Sequence, residues 1–362
     1  MKYALALIAL VTALALAGGE FGTGCAEMFK ISGYNKVWMY MWGQEYSDPD
    51  MSFRAYNWTA LKANLNDWVS GGVGLEFNTY GGNMDLQVCD AWLQADIVPE
   101  FSIKGGQFKV PFGYAYNCSG GGIYFLDRAV MVTGVNNGNY LNNDFMYYGG
   151  RDIGLQAHAQ FDMVGLDLGY FNGMGPYADS DTTVNMQFVA GLTLDATDWM
   201  TFGAGVSMIG VPEVDSLESW SATGIDAYLL VDYPVSPTFD LVFQGEFLNA
   251  GVAGPDISGA DKEAGMDFYA MLGGRFDLEG GFLSAIMPAV RYESLDPMEY
   301  VLSGGDGAED KVTVIDFCVN FYNGENHDLQ LGGRNWGFEN SDPDSGGTEG
   351  FTDMYLGWRM RF

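Results

Sequence analysis

Hydrophobic and polar residues alternate along most of this chain with a period of two. Within 152–161, one face carries Ile153, Leu155, Ala157, Ala159 and Phe161, and the other carries Asp152, Gln156, His158 and Gln160. The same contrast recurs in 239–247 and 315–321. Successive side chains of a β-strand point to opposite faces, so this period predicts strands.

The alternation predicts sixteen strands, and an even number is what a closed antiparallel bacterial barrel requires. We therefore predict an all-β fold, a transmembrane antiparallel β-barrel of about 16 strands. The predicted segments are 29–42, 51–66, 68–80, 84–97, 100–110, 150–161, 163–174, 184–197, 199–211, 218–234, 238–249, 265–277, 281–294, 311–322, 327–338 and 351–362.

The predicted strands and their links favour a membrane barrel over a soluble sandwich. The strands are about 10–14 residues long, against a mean of ~5–6 in globular proteins. Tight turns alternate with longer polar loops, as in outer-membrane barrels. The turns are Asn66-Asp67, Asp162, Asp198, Pro234–Pro237 and Asn323–Glu325; the longer loops include 43–50, 111–149, 250–264, 295–310 and 339–350.

Segment 111–149 is too long for a plain connection. On a barrel, such a loop either caps the opening or folds inward and narrows the lumen. The apolar run 123–126 gives it residues that can pack against the wall. We predict one inward-folding constriction loop at about 111–149.

Composition agrees with a barrel. The chain has 51 Gly, 24 Phe, 21 Tyr and 9 Trp, and only 17% of its residues are charged. Soluble domains carry about 25% charged residues. Few charges, many aromatics and many glycines suit strands with an apolar outside and a wet inside.

Residues 1–26 are predicted to be a signal peptide, with Lys2 before a short apolar run. Cleavage after Ala17 and cleavage after Ala26 both fit, and an anchor helix or a lipid on Cys25 are the alternatives. Residues 27–362 then form one domain, the outer-membrane β-barrel. Its last strand ends on Phe362 with alternating residues, as outer-membrane barrels do.

The formal net charge of −31 argues against nucleic acid as a partner. The predicted inner faces also carry mostly acids, which favours a weak preference for cations. These acids are Asp90, Asp96, Asp152, Asp167, Asp240, Glu246, Asp267, Asp316 and Asp328. The candidate inward bases are Arg54, Arg275, Arg291, Arg334 and Arg359.

Several stretches resemble the phosphate-selective porin O and P family, most clearly over about 50–175. They are GQFKVPFG at 106–113, FLDRA at 125–129, GRDIGLQ at 150–156 and GYFNG at 169–173, together with parts of 53–68 and 90–93. The resemblance implies a sixteen-stranded, usually trimeric outer-membrane channel whose third extracellular loop enters the pore. Members that select phosphate line their pore with an Arg ladder and a Lys cluster. This chain has only 16 Lys and Arg in all, so the resemblance carries over the architecture and not phosphate selectivity.

The candidate functional residues are those expected on the inner wall and in the constriction. They are Arg54, Asp90, Lys109, Asp127, Arg128, Asp152, Asp240, Glu246, Arg275, Arg291, Asp316 and Arg334. Asp342, Asp344 and Glu349 are weak candidates for a metal site, and a solvated outer rim explains them better. The four cysteines match no zinc or redox spacing and are interpreted as single thiols.

No cofactor and no catalytic site are predicted. His158 and His327 are both expected on inner faces, and neither is followed by the Ser that barrel phospholipases need. We therefore expect an outer-membrane porin that passes small hydrophilic solutes or ions, surrounded by outer-membrane lipid and lipopolysaccharide, and assembled as a homotrimer. The alternatives are an anion- or phosphate-selective channel and a structural barrel or adhesin without transport.

Overall fold

A computed structural model describes residues 29–43, 50–79, 85–133, 148–173, 186–211, 219–252, 260–296, 299–302, 311–339 and 350–362. The predicted signal peptide lies outside these residues. So do Cys25, the three weak metal candidates Asp342, Asp344 and Glu349, and the part of the long loop at 134–147.

Among the described residues, sixteen strands form a closed antiparallel barrel, as the alternation predicted. They are β1 (Phe29–Gly43), β2 (Asp50–Asn64), β3 (Val69–Asn78), β4 (Asp85–Val98), β5 (Phe101–Lys109), β6 (Arg151–Phe161), β7 (Val164–Phe171), β8 (Met186–Thr197), β9 (Met200–Val211), β10 (Trp220–Ser236), β11 (Phe239–Ala250), β13 (Gly265–Asp277), β14 (Ala285–Asp296), β16 (Val312–Asn323), β17 (His327–Phe338) and β18 (Gly350–Arg361). The first and last strands close the barrel, with Tyr34 opposite Arg361.

Two short strands were not predicted. β12 (Ala260–Glu263) and β15 (Glu299–Leu302) pair as a separate two-stranded sheet in two of the long loops. Four residues each are too few to show an alternation in the sequence. The start of β14 was also predicted four residues early, because 278–284 form the turn before it, where Phe282 is exposed.

The two rims of the barrel differ as predicted. One rim has short turns, such as the two residues between β6 and β7, where Asp162 adopts a φ of 51°. Asp tolerates this left-handed conformation better than most residues. The long connections lie at the other rim, including the one from β5 to β6 that carries two single-turn helices, α1 (Tyr114–Asn117) and α2 (Val130–Thr133).

The outer wall is apolar and the inner wall is polar. On β16, Ile315 and Phe317 are each 45% exposed, whereas Asp316, Cys318 and Asn320 between and beside them are buried inside the barrel. The other strands also expose apolar residues outward, and inward apolar residues such as Met271 and Met287 stand among the polar ones. Strands that show apolar residues outward and polar residues inward are the pattern of a barrel in lipid. None of the helices in the described part of the chain is long and apolar enough to cross a membrane.

The outward face of β16 gives a direct test of lipid contact. Phe317 lies near the middle of this strand, so Phe317→Arg should lower the free energy of unfolding in phospholipid vesicles by about 2–4 kcal/mol. Urea titration followed by tryptophan fluorescence measures the loss. Asn326→Arg, in the exposed turn between β16 and β17, is the matched control and should change it by at most about 1 kcal/mol. Equal losses would argue against a bilayer around β16.

Candidate functional site

The connection from β5 to β6 enters the barrel, as predicted, and its described part lies along one side of the lumen. The backbone carbonyl of Tyr124 accepts hydrogen bonds from Nδ2 of Asn320 at 2.9 Å and Nε2 of Gln330 at 3.1 Å. Nη1 of Arg359 donates to the carbonyl of Ile123 at 2.6 Å. Side chains of the inner wall therefore satisfy backbone groups of the loop, which a buried loop requires.

Apolar contacts hold the same segment. Phe125 and Leu126 are buried in a cluster with wall residues such as Trp38 and Met287. A second cluster contains Val130 and Met131 of α2 together with wall residues such as Leu248, Tyr269 and Trp336. The apolar run noted at 123–126 thus packs on the wall, as its sequence suggested.

A buried network of charges lies behind the loop. Asp316 is fully buried and lies 3.0 Å from Arg291 and 3.2 Å from Arg334, measured from its Oδ2 to each Nη2. The two guanidinium groups also reach the loop, because Arg291 donates to the carbonyls of Asp127 and Arg128 and Arg334 approaches the Asp127 carboxylate at 3.9 Å. The network joins β14, β16 and β17 to the loop.

Asp127 is the acidic residue that the loop adds to this network. Its carboxylate lies 3.7 Å from Nζ of Lys36 on β1. Burial by itself raises the pKa of Asp127, but Lys36, Arg334, Arg291 and Arg54 together outweigh burial and hold this pKa below its ordinary range. The carboxylate is therefore charged at neutral pH and fixes the loop electrostatically.

Buried carboxylates of the wall also accept hydrogen bonds from the loop backbone. Oε2 of Glu246 accepts from the amide of Ala115 at 2.8 Å, and Oε1 of Glu293 accepts from the amide of Met131 at 3.2 Å. Asp328 at the other end of the wall pairs with Arg359 at 2.9 Å. These acids hold the loop in place rather than facing open solvent.

The other side of the lumen is open. Two cavities of about 600 and 400 Å³ lie between the loop and the wall of β1 to β10. Lys104, Lys109 and Asn117 line both cavities, so the cavities adjoin there. The larger cavity is also lined by Tyr34, Tyr56, Trp58, Glu76, Asp90, Trp92, Phe108, Arg128 and Arg151, and the smaller by His158, Asp167, Asp226 and Tyr228.

The charges of the two cavities differ. The larger cavity has four bases, Lys104, Lys109, Arg128 and Arg151, and two acids, Glu76 and Asp90. Arg151 pairs with Asp90 at 2.9 Å. The smaller cavity has two bases, Lys104 and Lys109, and two acids, Asp167 and Asp226. The acids that dominate the sequence of the inner wall are therefore not the groups that dominate the open lumen.

The predicted candidate residues fall into three groups. Asp90, Lys109 and Arg128 line the larger cavity. Six others are buried or partly buried, in contact with the loop or with strand ends. They are Asp127, Asp152, Glu246, Arg291, Asp316 and Arg334. Asp240 and Arg275 lie opposite each other in the β11–β13 register near the short-turn rim, and Arg54 of β2 lies over the Tyr40 ring at 5.7 Å.

Lys104 and Arg151 were not among the candidates, although both line the larger cavity. The alternation of β5 contains a signal for Lys104, because Ile103 is exposed on the outer face and its neighbour must point inward. Arg151 is the first residue of β6. Its pairing with Asp90, sixty-one residues away, cannot be read from the local pattern.

One prediction about the histidines was wrong. His158 lies inward and contacts Asp167 at 2.8 Å. His327 begins β17 on the face opposite to the inward Asp328, because successive strand residues alternate. Cys89, Cys118 and Cys318 are free thiols, and no group of three metal-ligating side chains occurs among the residues that the structure describes.

No protein-family profile matches this chain, and no curated protein sequence is similar to it. Solved structures do match its fold. An anion-selective porin from Comamonas acidovorans has a TM-score of 0.60 at 11% identity, covering 92% of this chain and 99% of that porin. The outer membrane channel DcaP of Acinetobacter baumannii gives the same TM-score and identity over 92% and 97%.

The in-vitro folded, trimeric form of OmpT, an outer membrane protein of Vibrio cholerae, has a TM-score of 0.53 at 11% identity, over 92% and 100% of the two chains. These likenesses show the fold of bacterial outer-membrane porins. They agree with the sixteen-stranded architecture that the resemblance implied, and they do not single out the phosphate-selective family.

Proposed function

We propose that this protein is a bacterial outer-membrane porin through which small hydrophilic solutes and ions diffuse passively, and that the loop at about 111–149 is its constriction. The observation that carries the proposal is the open side of the lumen. Adjoining cavities of about 600 and 400 Å³ remain between the loop and a polar wall. A barrel that served only as an anchor would have no need of this space.

The ion preference that we propose is a weak one for cations. The open cavities together carry the bases Lys104, Lys109, Arg128 and Arg151 and the acids Glu76, Asp90, Asp167 and Asp226, so the lumen itself favours neither sign strongly. The chain as a whole has a formal net charge of −31. An acidic surface raises the local concentration of cations at the mouths of a pore.

Conductance in planar bilayers tests the proposal. The refolded protein should show single-channel currents in KCl, with a small reversal potential of the sign that indicates K⁺ preference. Arg128→Ala removes one of the bases of the larger cavity and should shift the reversal potential further toward cations. Lys262→Ala removes the same charge in β12, outside the barrel wall, and should shift it less.

Two outcomes would contradict the proposal. The absence of any current from folded protein would favour the structural barrel or adhesin. Strong anion selectivity, highest for phosphate, would favour the specialised function of the resembled family, and the excess of bases in the larger cavity is the feature that supports this second candidate.

We also propose that the barrel forms a homotrimer in contact with outer-membrane lipid and lipopolysaccharide. The support is the fold it shares with the trimeric OmpT form and the apolar outer face of the strands. Chemical cross-linking of the refolded protein in lipid should give a trimer as the largest product.

A further inference from the structure

Aromatic side chains line much of the larger cavity. Tyr34 stacks on Tyr56, with ring centroids 5.5 Å apart, and lies beside Trp58 at 6.2 Å. Trp92 and Phe108 line the same cavity. These rings form a surface on which a flat apolar solute can lie.

A glycine of the neighbouring strand makes room for one of these rings, that of Trp92. A Cβ atom added at Gly72 of β3 would lie 2.7 Å from the Trp92 ring. A side chain at this position would therefore displace the indole. Gly72 therefore leaves room for Trp92 against the wall.

Three bases of the cavity, Lys104, Lys109 and Arg128, form no ion pair with an acid among the described residues. Nζ of Lys104 lies 4.6 Å from the Trp92 ring centroid and 4.5 Å from that of Phe108, and it has no ion pair among the described residues. Nζ of Lys109 donates to the carbonyls of Asn117 and Cys118. Nη1 of Arg128 donates to the carbonyl of Ala115 at 2.7 Å. Neutral carbonyls, rather than carboxylates, therefore position the side chains of Lys109 and Arg128.

We infer that this cavity binds aromatic carboxylates, small solutes with a flat apolar body and one anionic group, as they pass through the channel. The inference rests on the proposed channel function. The rings would contact the body of the solute, and Lys104, Lys109 and Arg128 would attract its carboxylate. An inorganic anion has no body for the rings to contact, and a neutral solute does not use the bases. The cavity volume of about 600 Å³ lies in the usual range for small-molecule sites.

Calorimetric titration of the full-length barrel in detergent tests the site with benzoate as the probe. Acetate supplies the carboxylate without the ring, benzyl alcohol supplies the ring without the charge, and inorganic phosphate supplies charge alone. Benzoate should bind more tightly than all three. Lys104→Met keeps most of the apolar stem and removes the charge, and it should weaken benzoate binding about tenfold, or ~1.4 kcal/mol.

A control variant and a current measurement accompany the titration. Arg275→Met removes a base near the short-turn rim, outside both cavities, and should leave benzoate binding unchanged. Benzoate should also reduce the KCl current of the wild-type channel with the same concentration dependence as binding.

Failure of this inference is separable from failure of the channel proposal. KCl current without benzoate binding would refute the site and leave the channel standing. Benzoate binding without current would refute the channel and retain the site. Equal affinity for acetate or phosphate would show that the rings contribute nothing, and equal affinity for benzyl alcohol would show that the bases contribute nothing. Either result would overturn the inference.

Discussion

Asp316→Ala should lower the free energy of unfolding of this barrel by about 3–5 kcal/mol. Asp316 is fully buried and accepts hydrogen bonds from Arg291, Arg334 and Tyr355 at 3.0–3.2 Å. Its removal leaves two buried guanidinium groups whose nearest carboxylates among the described residues are Glu293 and Asp127, each at 3.9 Å. Removing one member of a buried ion network lowers the free energy of unfolding by far more than the intact network adds to it.

Urea titration of the refolded protein in vesicles measures this loss. Asp277→Ala is the matched control, because Asp277 also pairs with an arginine at 3.0 Å but both side chains are 43% exposed. An exposed pair contributes at most about 1 kcal/mol. If both variants lost the same stability, the network behind the loop would not be structurally important.

The same variant should disturb the loop as well as the wall. Arg291 and Arg334 contact Asp127 and the backbone beside it. Without Asp316 to orient them, these contacts weaken and the loop is held less firmly. Single-channel records of Asp316→Ala should therefore show more current noise than wild type, whereas Asp277→Ala should not.

The strands were predictable because the two faces of the barrel wall meet different environments, lipid outside and the lumen inside. Each strand position must suit either lipid or the lumen, so residues such as Ile315 and Asp316 differ sharply in polarity. That contrast appears in the sequence without any knowledge of pairing. The pair β12 and β15 escaped prediction because a short sheet outside the wall faces no such constraint.

The placement of the loop was predictable only in part. Its length and the apolar run 123–126 indicated an inward fold, and Leu126 is indeed fully buried. Which side of the lumen it covers depends on contacts such as that from Arg359 to the carbonyl of Ile123, 236 residues apart. Contacts at this separation leave no local pattern.

The position of the loop changes how the charges of the inner wall are interpreted. Asp316, Asp328 and Glu246 were counted as inward acids, and they are buried in contacts with arginines or with the loop backbone. A count of inward acids in the sequence treats every one as open to the lumen. Lys104 and Arg151, which were not counted, line the open cavity.

Replacement of residues 114–132 by a short Gly-Ser linker should raise the single-channel conductance several-fold and shift the selectivity toward cations. The conductance rises because the segment covers one side of the lumen, where its side chains pack on the wall. The selectivity shifts because the wall beneath it becomes open to ions. The buried acids there are Glu246, Asp267, Glu293, Asp316, Asp328 and Asp353, and the buried bases are Lys36, Arg291, Arg334 and Arg359.

The variant also loses Arg128, a base of the larger cavity, which adds to the shift. Reversal potentials in a KCl gradient measure it, and heat-dependent migration in detergent gels shows whether the barrel still folds. An intermediate variant, Arg359→Met, removes the donor to Ile123 but keeps the segment. It should raise conductance less than the replacement does. Unchanged conductance in a folded replacement variant would show that the loop does not limit the current.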